Sequence, residues 1–187
     1  MVFSLRLAAE GCVAAMIADL LTLVTLALFP ALMAFSASSD LFTMTIPNRI
    51  SIALVLAYPA LAVAVGVPIT GVAVNFTCGF AVLALTFAMY SRGWIGGGDA
   101  KLAAATALWL GWALLLDYGL ITSVLGGVIT LGIVFARRAP LPAWASRLEW
   151  VARLHNPSNG APYGIALAAA GLLLYPSSQI WLAAGGL

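Results

Sequence analysis

Six apolar runs, each close to the length of a bilayer crossing, constrain this chain to a bundle of membrane helices. They extend from Cys12 to Ala37, Ile50 to Val67, Thr70 to Tyr90, Ala100 to Leu116, Tyr118 to Ala136, and Pro162 to Ala184. At about 1.5 Å of rise per residue, such runs cover most or all of a hydrocarbon core about 30 Å thick. The chain is 64% hydrophobic and only 7% charged, a balance that excludes a water-soluble globular domain. The first run is too long for the apolar region of a signal peptide and is read as a spanning helix. The expected fold is an all-α integral membrane protein, with residues 1–187 forming one polytopic domain of six transmembrane helices.

Basic residues predict its orientation, because short loops rich in Lys and Arg stay on the cytoplasmic side. Arg49 lies between the first and second runs and Arg92 and Lys101 at the next such junction, while Arg137, Arg138, Arg147 and Arg153 precede the last run. Only Arg6 falls on the opposite side, so both termini are expected outside. Residues 137–161 are the longest polar stretch, read as a cytoplasmic loop holding a short interfacial helix with Trp144 and Trp150 at headgroup level. The two cysteines, Cys12 and Cys78, show no CxxC spacing and suggest neither a zinc ribbon nor a disulfide framework.

The acidic residues are few enough to weigh singly: Glu10, Asp19, Asp40, Asp99, Asp117 and Glu149. A carboxylate beside a spanning helix is costly and is a functional candidate by default. Asp19 near the outer end of the first helix, and Asp117 at the expected outer turn between the fourth and fifth, read as interfacial or packing residues. Asp40 and Asp99 both fall on inner-face junctions and are the one pair of near-membrane aspartates there. Taken singly, each has an ordinary reading. Asp99 suits the N-cap of the fourth helix with Lys101 snorkelling nearby, and Asp40 suits a polar close to the first.

The glycines before Asp99 shift that balance. Gly96, Gly97 and Gly98 permit positive φ and a close approach of another backbone, neither of which a simple cap requires. Irregular backbone is tolerated in a membrane where it is buried in protein or lines a watery cavity. The stretch is therefore expected to be a loop against which an extended peptide lies beside a carboxylate. Two carboxylates held close together share a proton, so one serves as base while the other serves as acid. That division suits amide hydrolysis by an activated water. No Ser, Cys or His arrangement offers comparable chemistry. His155 is alone in its loop, and no metal or cofactor is expected.

Two rival readings stay open on the residues alone. One is a small proton- or cation-coupled carrier, which would favour inverted repeats and charges near mid-membrane. The other is a non-enzymatic assembly subunit whose aspartates merely cap helices. Ala103, Ala107 and Gly111, and Gly164 with Ala168, form small-residue stripes suited to close helix packing.

"SDLFTMTIPNRIS" and "GGGDAKLAAA" resemble the two signature segments of the prepilin peptidases, membrane aspartyl proteases with a G-x-G-D motif. The nearest likeness is to the short form associated with tight-adherence and Flp pilus assembly. The motif falls on Gly96, Gly97, Gly98 and Asp99, and Asp40 stands a short spacer ahead of Ile46, Pro47 and Asn48. "APYGIALAAAG", from Ala161 to Gly171, resembles the family's P-Y-G segment at the start of the last helix. The resemblance implies that Asp40 and Asp99 are catalytic. It implies that Pro47 stops a helix and aims Asn48, that Lys101 either tunes the pair or snorkels, and that Pro162, Tyr163 and Gly164 line the cleft. It also implies a prepilin substrate whose short basic leader is cut at the inner face of a bacterial cytoplasmic membrane. Membrane lipids and the pilus assembly machinery are the further partners, with no nucleic acid. Longer relatives insert a cysteine-bearing domain after the first helix and N-methylate the product. This chain has no room there, so methylation is not expected. An archaeal preflagellin peptidase would carry similar aspartates.

Overall fold

The computed structural model describes residues 2–142 and 144–185, without the side chains of residues 2–11 and 14. The side chains of Arg6 and Glu10 thus lie outside the described residues. Every regular element among those described is helical. Helix α1 spans Val2–Thr43, α2 Asn48–Ala64, α3 Ile69–Ser91, α4 Gly97–Leu110 and α5 Trp112–Ala136. A short α6 covers Glu149–His155, and α7 (Gly164–Leu174) passes through a 3₁₀ turn at Tyr175–Ser177 into α8 (Gln179–Ala183). Helices suit this composition because a bilayer offers no water to satisfy exposed backbone groups. Two buried hydroxyls of α1 are satisfied within the helix: Thr25 donates to the Leu21 carbonyl and Ser36 to the Leu32 carbonyl.

Among the described residues, four segments are long and apolar enough to cross a membrane: Ala15–Thr43, Ile69–Ser91, Trp112–Ala136 and Gly164–Ala183. With its composition, they make the chain a membrane protein. Helix α2 is apolar but shorter, at 17 residues. The predicted fourth run, Ala100 to Leu116, is corrected. It is cut at Gly111, leaving α4 with 14 residues. Gly111 has φ +72°, a left-handed conformation that favours glycine, and it packs tightly on α3. A methyl group added there would lie 2.5 Å from Asn75 Oδ1. Asp117 consequently sits exposed inside α5 and does not cap the turn between the two helices.

Helix α4 is the centre of the bundle, touched by α2, α3, α5 and α7. Its alanines let these neighbours approach closely, and it is buried without interruption from Leu102 to Leu110. At its far end the rings of Phe29, Tyr58, Trp109 and Tyr175 form one cluster, with Phe29 and Tyr175 centroids 4.5 Å apart. Each polar handle in that cluster finds a partner, as a buried polar group must. Trp109 Nε1 donates to the Leu54 carbonyl at 3.0 Å, Tyr175 Oη donates to the Thr25 carbonyl at 2.6 Å, and Asn75 Nδ2 donates to Tyr58 Oη at 2.6 Å.

Candidate active site

The two junction aspartates lie at the opposite end of α4. Asp40 belongs to the last turn of α1 and is only 5% exposed. Its Oδ2 accepts a 2.7 Å hydrogen bond from the backbone N–H of Gly164, the first residue of α7. A helix N-terminus leaves such N–H groups free and carries partial positive charge, so a carboxylate is a natural partner. The contact also requires glycine. A methyl group at position 164 would lie 2.8 Å from Asp40 Oδ2 and 2.7 Å from Ile46 Cδ1.

Asp99 lies in the first turn of α4 and folds back over Gly96, where an added methyl group would fall 2.9 Å from its Oδ2. Asp99 lies near enough to Asp40 to feel its charge. Ile46 links their surroundings, since a methyl group on Gly98 would come within 3.2 Å of Ile46 Cβ. The chain reaches this position through a sharp reversal after α1, with Met44 at φ +53°. Pro47, in extended conformation, then precedes the first residue of α2.

The glycines act differently from the sequence expectation. Gly96 has φ −72°, Gly97 and Gly98 open α4, and the positive φ of this junction belongs to Gly93. The stretch is a helix start, not an irregular loop. What the glycines provide is proximity: Gly96 to Asp99, Gly97 to the Tyr90 ring and Gly98 to Ile46.

Pro162 is buried beside Gly164, and Tyr163 fastens the start of α7 to α5. Its hydroxyl donates to the Thr122 carbonyl at 3.3 Å, and its ring lies against Gly126, where a methyl group would fall 2.1 Å from Cε2. Gly126 escaped sequence reasoning. Its signal was a glycine pair, Gly126–Gly127, inside an otherwise apolar helix. Asn48 and Lys101 meet each other, with Lys101 Nζ donating to Asn48 Oδ1 at 2.9 Å. Residues two apart on a helix do not share a face, so Lys101 and Asp99 leave α4 in different directions.

The 137–161 segment folds over the same end. Arg153 donates to the Phe42 carbonyl at 2.8 Å, two residues beyond Asp40, and Trp150 packs edge-on against Phe42 with centroids 5.7 Å apart. Arg137 ties the segment together through the carbonyls of Leu154 and Asn159. Among the described residues, no three His, Cys, Asp or Glu side chains converge.

The type IV leader peptidase family matches residues 27–131, more than half of the chain. The match takes in Asp40, the Ile46–Pro47–Asn48 turn and the Gly96–Asp99 motif, and ends before Pro162. No curated protein and no solved structure matches the chain. A family match across both aspartate segments, together with helices suited to a membrane, establishes that the chain belongs to the type IV leader peptidase family of membrane peptidases.

Proposed function

We propose that this protein is a membrane aspartic endopeptidase that removes the short leader from prepilins of the Flp or type IV-like kind. The observation that carries this reading is the meeting of Asp40 and Asp99 at one end of the bundle, from helices α1 and α4. Two like charges at such a site cannot both be held cheaply, so the pair shares a proton. The ionised carboxylate takes a proton from water as the water oxygen attacks the scissile carbonyl carbon. The protonated one hydrogen-bonds the carbonyl oxygen. Proton transfer to the amide nitrogen then lets the C–N bond break, giving a carboxylic acid and a free amine. Gly96, Gly97, Gly98, Pro162, Tyr163 and Gly164 frame the cleft. The Lys101–Asn48 hydrogen bond pins the turn at Pro47 to α4.

Six crossings with both termini outside fit this reading. Arg49, Arg92, Lys101 and Arg153 all belong to junctions at the aspartate end, which basic residues favour for the cytoplasmic face of a bacterial inner membrane. The segment from residue 137 to 161, with α6, covers that face. Only residues 44–47 separate α1 from α2, which leaves no room for an inserted methyltransferase domain. The trimmed pilin therefore leaves unmethylated. The carrier reading draws no support from a peptidase family.

The test is co-expression of the full chain with Flp-type prepilins in host membranes, followed by mass spectrometry of the product. The expected result is a pilin lacking its leader and carrying a free, unmethylated N-terminus. Intact prepilin across several leader sequences would overturn the proposal.

A further inference from the structure

A groove of about 420 Å³ opens between α2, α3 and α4, on a different side of α4 from the aspartates. It exists because α2 and α3 both lean on α4 while barely touching each other. Ala105 and Leu108 form its floor, and Ile52 and Val55 face Phe80 and Leu83 as its walls. One end is polar, holding Asn48, Ser51 and Lys101.

That end is also cationic. The Lys101 ammonium has three N–H donors, of which Asn48 Oδ1 takes one. Among the described residues no carboxylate forms an ion pair with it. The exposed Arg49 and Arg92 lie at the same end, at the start of α2 and just beyond α3. An apolar slot with a positive mouth at a helix end is the shape of an amphiphile with an anionic head.

The charge of the mouth decides the occupant. The lining residues of α2 run from Asn48 to Leu56, about 12 Å of helical rise, so an apolar chain lying along the groove keeps its anionic head at Lys101. We infer that this groove binds an anionic phospholipid, with an acyl chain between α2 and α3 and the phosphate on Lys101. The site stands independently of the proposed protease chemistry.

Native mass spectrometry of the detergent-purified full chain tests this, using phosphatidylglycerol, phosphatidylcholine and soluble glycerol phosphate as probes. Phosphatidylglycerol should be retained over phosphatidylcholine, and glycerol phosphate should not bind. Lys101→Gln should weaken phosphatidylglycerol retention about fivefold, the worth of one lysine near an anionic surface, while Lys101→Arg retains it. Val55→Trp, which fills the groove from its wall, should reduce retention without touching the charge. Circular dichroism confirms that each variant is folded. Equal retention of both lipids, binding of glycerol phosphate alone, or native retention by folded Lys101→Gln would overturn the inference. So would displacement of the lipid by an apolar helical peptide.

Discussion

At its Trp109 end α4 is gripped by aromatic rings, and at its Asp99 end, about 15 Å away, by side chains pressed against glycine. The rings of the first end are buried, and Trp109 and Tyr175 donate to carbonyls of neighbouring helices. The second end carries two carboxylates in surroundings where a charge is costly, and its contacts are close approaches at Gly96, Gly98 and Gly164. Ring packing with paired polar groups is concentrated at one end, and the other holds an arrangement that packing alone would not select. The two ends should therefore respond oppositely to mutation.

The largest expected effect on stability is Trp109→Ala, which removes a fully buried ring from the cluster. It should cost about 3–5 kcal/mol, read as earlier unfolding in detergent, while cleavage per folded molecule stays near native. If that substitution destroyed cleavage in molecules still folded, the two ends would not be separable. Gly164→Ala is the converse. Its methyl group would intrude on Asp40 Oδ2 and Ile46, an overpacking of about 1–3 kcal/mol. Its main consequence should be a steep fall in turnover as the Asp40 contact is pushed apart. Smallest is Tyr175→Phe, which deletes the 2.6 Å hydrogen bond to the Thr25 carbonyl. It should cost about 1 kcal/mol in unfolding measurements and leave turnover unchanged.

The sequence revealed the aspartate end better than the ring end, for a physical reason. Charge is so scarce in this chain that Asp40 and Asp99 stood out on composition, and the glycines before Asp99 marked a close approach. Hydropathy was silent about the break at Gly111, because residues on both sides are equally apolar and the glycine also fitted a packing stripe with Ala103 and Ala107. Only the contact with Asn75, distant in sequence, shows why the backbone turns there. The role of Gly164 was hidden likewise. A glycine at a helix start needs no special reason until Asp40, on another helix, is seen to receive its N–H. Adjacency in sequence points Lys101 toward Asp99, yet its ammonium is on Asn48.

The most direct test of the central claim is leader cleavage by Asp40→Asn and Asp99→Asn, each matched to the native chain for membrane level and thermal unfolding. Asparagine keeps the size and much of the hydrogen bonding of aspartate but cannot exchange a proton. Both variants should therefore remain folded and lose cleavage by at least about a hundredfold. Native-level cleavage by either one would contradict the two-aspartate account and leave that residue as a helix-end partner alone.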